Sequence, residues 1–310
     1  MNASDQTVLV TGASGFIGCR LCAFLKQEGY PVRAMVRQPQ TFHDFDGVTS
    51  CYGDLEDPDS LAQACDRVHT VYHLAGVAHT GRSWQPLYQR MIVDATENLL
   101  EAAIAAGVKR LVYFSSSLAT AAALHPKLAT AYGLAKLEAE KNLQKAQQRG
   151  AIEIAILRPV NVYGPGMKGN IATMIRLIQK RRLPPLPRLQ NRLSLVSVKD
   201  LCRAALLTGT LSRAVGNTWL VSDGRSYRIN DIEAAVYQAL GRKKPGWHSP
   251  RVVLYLAALG AEILGKEMGL KTWQNLVNDN LIDSRKLESE LGFRPGASLY
   301  DELPAIIAAL

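Results

Sequence analysis

The feature that most constrains the fold is a series of glycines that directly follows a short apolar stretch near the amino terminus. Residues Thr7 to Val10 are β-branched or apolar and predict a buried strand. Gly12, Gly15 and Gly18 follow at a spacing of three residues. An amphipathic helix is predicted from Phe16 to Gln27. A strand, a tight glycine turn and a helix start in succession are typical of a dinucleotide-binding α/β sheet, although the usual spacing is Gly-x-Gly-x-x-Gly.

Each glycine of this series has a physical role in such a turn. Gly12 can adopt backbone angles that other residues avoid, Gly15 lets a pyrophosphate approach the main chain, and Gly18 lets the helix pack closely on the strand. The free amide donors at the helix start face the phosphates, where the helix dipole also favours negative charge. The cofactor-binding residues predicted in this loop are Gly12, Ser14, Gly15, Phe16, Ile17 and Gly18.

A tyrosine and a lysine lie one helical turn apart, about 120 residues after the first glycine. Tyr132 and Lys136 fall in a helix predicted from Ala129 to Arg149, so both lie on one face. A free phenol has a pKa near 10, and a nearby ammonium is expected to bring that pKa into the range of a useful base. The pair therefore predicts an acid/base site for proton transfer that accompanies hydride transfer.

These motifs together resemble those of the extended short-chain dehydrogenase/reductase family, which includes nucleotide-sugar epimerases, dehydratases and 4-keto reductases. Further segments similar to the family follow in order at Gly53–Leu55, His73–Gly76, Gly107–Ser116 and Leu157–Gly166. The resemblance extends over nearly the whole chain. It implies an α/β fold, with a Rossmann-type doubly wound parallel sheet and a smaller, mostly helical C-terminal substrate domain.

The resemblance also implies further cofactor contacts. Asp54 and Leu55 would contact the adenine, and Lys136 would hydrogen-bond the nicotinamide ribose. The remaining residues implied on the nicotinamide side of the cleft and beside it are Leu74, Ala75, Gly76 and Pro159. These segments also fit strands that end in loops at the carboxyl edge of a parallel sheet, where ligands of doubly wound folds bind.

The residue after the second predicted strand bears on the choice of cofactor. An NAD site usually has an acidic residue there to hold the ribose hydroxyls. Here Arg37 follows the strand from Pro31 to Val36, and a guanidinium suits a 2′-phosphate. We therefore favour NADP(H) over NAD(H). NAD(H) remains the alternative if Arg37 is only solvated and Asp54 dominates the adenosine contacts.

A third catalytic group is expected from the serines that follow the strand Leu111–Phe114. A match to the family without gaps places the catalytic serine at Ser116, with Ser117 as the second choice and a candidate substrate contact. A serine after a strand is also a common helix cap. About fifteen residues separate the serines from Tyr132, so the loop that borders the substrate is short.

Segments 163–170, 191–196 and 219–224 look like the subgroup that reduces UDP-4-keto-6-deoxy-N-acetylhexosamines in bacterial O-antigen synthesis. By that resemblance Asn170 contacts the sugar or its diphosphate, and Arg192 contacts the phosphates. A helix cap and a surface residue are the respective ordinary interpretations. The predicted substrate-binding residues are His79, Ser117, Asn161, Asn170 and Arg192.

The leading hypothesis is an NAD(P)-dependent reductase of a 4-keto nucleotide sugar, with Ser116, Tyr132 and Lys136 as catalytic residues. A nucleotide-sugar 4-epimerase with retained NAD would use the same residues. A hydroxysteroid-type dehydrogenase would be compatible with the apolar segment Val252–Leu264. A non-catalytic nucleotide-sensing protein on the same fold would have no need of Tyr132.

The order of strand and helix patterns predicts the domains. The two patterns alternate as far as Pro159, which predicts a Rossmann domain over 1–165 with a return strand near 217–222. Residues 166–310 are expected to form mainly the substrate-binding domain. With 310 residues, 47% of them hydrophobic, the chain can bury one large core or two connected ones.

Composition excludes several other classes of protein. Five cysteines and six histidines without framework or metal-ligand spacing argue against a disulfide scaffold and a catalytic metal. The net charge of +9 is spread along the chain without a nucleic-acid motif, so it suits anionic small molecules. No secretory signal precedes the first strand and no apolar run reaches a membrane span, so we expect a cytoplasmic protein without stable membrane insertion. The family resemblance implies a homodimer through helices that include the one carrying Tyr132.

Overall fold

The computed structural model describes most of the chain, namely residues 3–38, 47–77, 85–252, 255–256, 259 and 279–310. The chain divides into two units, neither of them continuous in sequence. The first consists of the described residues within 1–160, 198–221 and 284–294, and the second of those within 161–197, 222–283 and 295–310. The sequence predicts a boundary near residue 165, with a return strand near 217–222 in the first domain. The division differs because two helices beyond residue 197, within 198–221 and 284–294, also belong to the first unit.

A seven-stranded parallel sheet forms the centre of the first unit, as far as the described residues show. The strands lie in the order β3 (Val48–Tyr52), β2 (Val32–Val36), β1 (Val8–Thr11), β4 (Thr70–His73), β5 (Arg110–Phe114), β6 (Glu153–Pro159) and β10 (Thr218–Val221). The order reverses at β1, which pairs with β2 on one side and β4 on the other. Thr11 is in register with His73, so the loops after these two residues lie side by side at the reversal, where doubly wound sheets bind ligands.

Helices pack on this sheet in two groups. Those of the first unit are α1 (Phe16–Gln27), α2 (Pro58–Cys65), α3 (Gln85–Tyr88), α4 (Ala95–Ala105), α5 (Ser117–Leu124), α6 (Ala131–Gln148), α8 (Val198–Thr210) and α10 (Arg285–Leu291). A π-helical segment, Gln89–Asp94, joins α3 to α4. Helix α1 packs against α8, whereas α2 and α6 both pack against α4. The central strands are apolar on both faces because helices cover both.

A large core cluster lies between the sheet and the group of α2, α4 and α6. Leu9, Val71, Leu111 and Ile154 reach it from four neighbouring strands. Their sequence neighbours Val10, Tyr72, Val112 and Ala155 are equally buried and point to the opposite face. This alternation fixes the register of the strands and holds their carboxyl ends at one edge.

The second unit contains two short strand pairs and three described helices. Strand β7 (Asn161–Tyr163) pairs with β9 (Leu195–Ser197) and β8 (Arg192–Leu193) with β11 (Tyr227–Arg228), while the helices are α7 (Asn170–Gln179), α9 (Ile229–Ala239) and α11 (Leu299–Ala308). The phenols of Tyr163 and Tyr227 donate hydrogen bonds to buried Asp223, at 3.0 and 2.6 Å. These bonds hold β7 and β11 to the segment after β10.

Two sequence predictions lie outside the described residues. His79 is one, and most of the apolar segment Val252–Leu264 is the other. None of the helices in the described parts of the chain is both long and apolar enough to cross a membrane.

Candidate active site

The glycine loop between β1 and α1 is held by close backbone packing. Gly12 has a φ of 66°, and its carbonyl accepts a hydrogen bond from the Gly15 amide at 2.9 Å. A Cβ at Gly18 would lie 2.2 Å from that same carbonyl oxygen, and a Cβ at Gly12 would lie 2.9 Å from the Ala75 nitrogen. Larger side chains at these two positions would push the loop apart, so the tight turn depends on glycine.

The amino end of α1 offers backbone donors to a ligand. Gly15 is the residue before the helix, and no side chain caps it. The first-turn amides of a helix have no partner within the helix, which applies here to Phe16, Ile17 and Gly18. Ser14 and Gly15 are exposed beside them. A glycine-lined turn with free amides and the positive end of a helix dipole fits the pyrophosphate of a dinucleotide.

A buried hydrogen-bond network joins this loop to the end of β4. The hydroxyl of Thr11 accepts from the amides of Leu74 and Ala75, at 3.2 and 3.1 Å, and lies 2.8 Å from Nδ1 of His73. Because both of its lone pairs are occupied, the hydroxyl must donate its proton to Nδ1. His73 then carries its own proton on Nε2 and donates to the hydroxyl of Thr96 at 3.2 Å. Burial lowers the pKa of His73 to about 3, so the ring is neutral.

The predicted adenosine residues lie at the ends of β2 and β3. Gly53 donates its amide to the carbonyl of Val36, which places exposed Arg37 and half-buried Asp54 at neighbouring strand ends. Oδ1 of Asp54 accepts from the Glu56 amide at 3.0 Å. The carbonyl of Leu55 accepts from Nδ2 of Asn98 at 2.8 Å. Asn98 therefore fixes this loop from α4. Gly76, exposed after β4, completes the predicted residues on the nicotinamide side.

Helix α6 carries Tyr132 and Lys136. Its first turn is capped by Thr130, whose hydroxyl accepts from the Gly133 amide at 3.1 Å. Nζ of Lys136 is buried and donates to the carbonyl of Phe114, at the end of β5, at 2.9 Å. Burial lowers the pKa of Lys136 to about 8. The ammonium therefore reaches across the sheet edge to the strand that precedes the serines.

The pKa of Tyr132 departs from the sequence expectation. Burial raises it to about 12, with a further contribution from Tyr88, whose ring centroid lies 5.8 Å away in an edge-to-face arrangement. Lys136 was expected to lower the pKa of Tyr132, but burial has the larger effect. Ionising a buried phenol among apolar neighbours costs more free energy than the Lys136 ammonium returns, because that ammonium is hydrogen-bonded to the carbonyl of Phe114.

The serines differ in their environments. The hydroxyl of Ser115 is fully buried and has no hydrogen-bond partner among the described residues. The hydroxyl of Ser116 accepts a hydrogen bond from the Leu118 amide at 3.2 Å and caps α5, which is the alternative to a catalytic role that the sequence also allows. Within the described residues, the side chain of Ser117 makes no hydrogen bond. Ser117 is therefore less committed to local structure than Ser116.

The remaining predicted residues are at the end of the sheet and in the second unit. Pro159 is the buried last residue of β6. Asn161, Asn170 and Arg192 are exposed first residues of β7, α7 and β8, respectively. Asn170 is not the helix cap, because Gly169 precedes the helix in that position. These three side chains thus lie on the surface of the second unit.

The sequence did not predict which polar residues hold the loops and helices of the site in place through hydrogen bonds and an ion pair. Thr96 and Asn98 fix the two loops, and an ion pair between Glu140 and Arg158 lies beside α6. The ion pair had a visible signal. Arg158 interrupts an apolar strand, and Glu140 follows Lys136 at the spacing that shares a helix face.

A doubly wound sheet with a glycine loop at its reversal and a Tyr-x-x-x-Lys helix beside it defines an extended short-chain dehydrogenase/reductase. The model of the NAD dependent epimerase/dehydratase family matches residues 8–221, and the chain belongs to that family. Membership implies an enzyme of the NAD-dependent oxidoreductase or epimerase type.

Individual relatives differ in substrate. The UDP-glucose 4-epimerase of Vibrio cholerae is 28% identical, over 96% of this chain and 93% of its own length. The 3-beta-hydroxysteroid dehydrogenase of Mycolicibacterium neoaurum is 23% identical, over 93% of this chain and 87% of its own. Among solved structures, MoeE5 in complex with UDP-glucuronic acid and NAD has a TM-score of 0.77, at 26% identity and 98% coverage of both chains.

Proposed function

We propose that this chain reduces the 4-keto group of a nucleotide sugar of the UDP-4-keto-6-deoxy-N-acetylhexosamine type, in surface polysaccharide synthesis. The observation that carries this proposal is the placement of Tyr132 on the same helix face as Lys136, whose ammonium is fixed at the carboxyl end of β5 by the Phe114 carbonyl. Burial raises the pKa of Tyr132 to about 12, so the side chain keeps its proton at neutral pH. A carbonyl oxygen needs such a donor when hydride reaches its carbon.

The residues of the chain divide the work of this reaction. When bound, the nicotinamide cofactor supplies the hydride that forms the new C–H bond at C4. The amides at the start of α1 hold the pyrophosphate, and a serine hydroxyl hydrogen-bonds the substrate oxygen. Tyr132 transfers its phenolic proton to that oxygen, which turns the carbonyl into an alcohol. The ammonium of Lys136 favours the phenolate that remains until solvent returns a proton.

The nucleotide-sugar part of the proposal is supported by the relatives. A UDP-glucose 4-epimerase matches nearly the whole chain, and MoeE5 is described with a UDP sugar. The exposed Arg192 offers a guanidinium suited to a diphosphate, with Asn161 and Asn170 as further substrate contacts. The same likeness favours a second candidate, a 4-epimerase that oxidises C4 and reduces it again on the other face.

The choice between the two cofactors is supported unequally. The matched family is described as NAD dependent and MoeE5 is described with NAD, so the relatives give no support to NADP. Arg37 remains the one argument for NADP, and its side chain is exposed directly after β2. The preference for NADP(H) over NAD(H) thus stays a prediction.

The homodimer and the cytoplasmic location also stay predictions. Sedimentation of the purified chain measures the oligomeric state directly.

The test of the proposal is to mix the purified chain with a UDP-4-keto-6-deoxy-N-acetylhexosamine and NADPH or NADH. Oxidation of the cofactor is measured as a loss of the absorbance of the reduced nicotinamide. UDP-glucose and a 3β-hydroxysteroid, which are alcohols and not ketones, serve as comparison substrates with NAD or NADP as the hydride acceptor. We expect turnover of the 4-keto sugar, and we expect Tyr132→Phe to lower kcat at least about 100-fold, because general acid catalysis contributes that much. Interconversion of UDP-glucose and UDP-galactose without net oxidation would establish the epimerase instead. Undiminished activity of Tyr132→Phe would refute both.

The same assay assigns the serine. We expect Ser117→Ala to lower kcat more than Ser116→Ala, because the Ser116 hydroxyl is already engaged in capping α5. Ser116→Ala should instead lower the free energy of unfolding by about 1 kcal/mol, the usual cost of a lost cap. A larger loss of kcat in Ser116→Ala would restore the assignment made from the sequence.

A further inference from the structure

A buried ion pair lies one helical turn beyond Lys136 on α6, and no step of the proposed reaction uses it. Arg158 donates through Nε and Nη2 to the two carboxylate oxygens of Glu140, at 2.9 and 2.5 Å. The Glu140 side chain is 1% exposed and that of Arg158 is 15% exposed. A pair withdrawn from water this far costs desolvation free energy, so its presence beside the candidate acid/base residues calls for a reason.

The guanidinium of Arg158 joins three elements of the site. It belongs to β6, it bonds to α6 through Glu140, and its Nη1 donates to the hydroxyl of Thr120 on α5 at 3.2 Å. Helix α5 begins with the serines, and α6 carries Tyr132 and Lys136. The ion pair therefore ties the two helices that supply the hydroxyl and the proton donor to a single strand.

The charge on Lys136 depends on what surrounds it. Burial lowers the pKa of its ammonium, and the Glu140 carboxylate opposes that effect. Helix α5 has no titratable residue. The titratable groups of the other neighbouring elements include His73 on β4, Tyr88 on α3, Tyr113 on β5, Tyr132 and Glu140 on α6, and Arg158 on β6. The same elements also carry Tyr72 on β4, Arg110 on β5, Glu138, Lys141 and Lys145 on α6, and Glu153 on β6. Farther along the helices packed on α6, Arg90, Asp94 and Glu97 bond to Glu56, Gln89 and Asn142.

Glu140 is the anion of this group that acts on Lys136. His73 is neutral, and the ring of Tyr113 lies 4.6 Å from Nζ of Lys136 without carrying charge. We infer that Glu140, held in place by Arg158, is a positioning residue that keeps the ammonium of Lys136 charged at the carbonyl of Phe114. This inference deepens the proposed function, on which it rests for its catalytic meaning, because a charged Lys136 is what stabilises the phenolate of Tyr132 after proton transfer.

The experiment is a pH titration of Lys136 by NMR of isotope-labelled lysine side chains, in the full chain without cofactor or substrate. The signal is assigned by its loss in Lys136→Met. We expect Glu140→Gln to lower the pKa of Lys136 by about one pH unit, the order of effect of an opposite charge within reach. The ammonium is then lost at lower pH, so the alkaline limb of the kcat/KM profile moves to lower pH as well.

A matched control exists at the other end of the same strands. Glu153 accepts hydrogen bonds from buried Arg110, at 2.8 and 2.6 Å. Glu153 and Arg158 are five positions apart on β6, roughly 16 Å along the strand. Glu153→Gln therefore removes the carboxylate partner of a buried arginine at a site distant from Lys136, and we expect the pKa of Lys136 to stay unchanged.

The double variant Glu140→Gln/Arg158→Gln covers the case in which Glu140→Gln fails to fold, since it leaves no charge buried without its partner. It should also lower the pKa of Lys136, because Glu140 lies on the same helix face as Lys136 and its carboxylate is the charge of this pair that raises the pKa of the ammonium. An unchanged pKa in the folded variant would overturn the inference. The titration needs no substrate, so its outcome is independent of whether the 4-keto sugar is reduced.

Discussion

Burial, more than pairing, sets the protonation of the residues at the carboxyl edge of the sheet. It lowers the pKa of His73 to about 3 and that of Lys136 to about 8, and it raises that of Tyr132 to about 12. In each case the uncharged form is favoured, as expected for groups withdrawn from water. The neutral ring of His73 thereby hydrogen-bonds to Thr11 and Thr96, whereas the phenol of Tyr132 stays protonated at neutral pH.

The neutral state of His73 predicts acid sensitivity. Its pKa is lower in the folded chain than in the unfolded chain, so between pH 6.5 and 3 the unfolded state binds the extra proton. The stability contributed by the neutral ring is complete above pH 6.5 and is lost as the pH falls, by about 1 kcal/mol per pH unit. Urea unfolding from pH 7 to pH 4 should show a shallower loss of stability in His73→Gln.

The control for this prediction is His125→Gln, which changes an exposed histidine after α5. We expect it to keep the pH dependence of the wild-type chain. Equal slopes for His73→Gln and the wild-type chain would mean that another group causes the acid loss.

Single elements were largely predictable from sequence, because their patterns are local. Helix α1 spans Phe16 to Gln27 as the apolar periodicity predicts. Helix α6 begins at Ala131, two residues after its predicted start, because the Thr130 hydroxyl caps it. A strand was predicted near 217–222, and the chain forms one over Thr218–Val221.

What lay beyond the sequence was the set of long-range contacts. Apolar patterning shows that α8 is buried but not that it packs on the first sheet against α1. The capping role of Ser116 and the pKa of Tyr132 depend on geometry and depth, which one-dimensional spacing does not contain. The sequence therefore predicted which residue types form the site, but not their hydrogen-bond partners or pKa values.

At the scale of the β1–α1 turn, Gly18 gives a sharp prediction. A Cβ there would lie 2.2 Å from the carbonyl oxygen of Gly12, so Gly18→Ala must push the helix start away from the loop. We expect a loss of about 1–3 kcal/mol in stability, as for overpacking elsewhere, and at least about tenfold weaker dinucleotide binding. Urea unfolding and titration calorimetry with NAD and NADP measure the two effects.

Gly246→Ala is the matched control for this substitution. A Cβ at Gly246 meets nothing within 4 Å, and the residue is not among those with positive φ. Stability and dinucleotide binding should both stay at the wild-type level. Wild-type binding by Gly18→Ala would show that the turn is not the pyrophosphate site.

At the scale of the whole molecule, the excess of positive charge and the family point to anionic ligands. The chain carries a formal charge of +9 and has a sequence pI of about 9.3. A basic protein attracts nucleotides and phosphates at low ionic strength, and salt weakens that attraction. Charge alone, however, does not distinguish NAD from NADP, which differ by one phosphate.

Thermal unfolding of the full chain distinguishes the two cofactors without any substrate. A ligand that binds only the folded chain adds about 2.7 kcal/mol at a concentration of 100 times its Kd and raises Tm accordingly. If exposed Arg37 holds the 2′-phosphate, NADP raises Tm more than NAD does at equal concentration. Arg37→Glu should then reverse the order, because a carboxylate repels the phosphate and accepts hydrogen bonds from ribose hydroxyls. A larger rise with NAD in the wild-type chain, unaltered in Arg37→Glu, would assign the cofactor to NAD and leave Arg37 as a solvated surface residue.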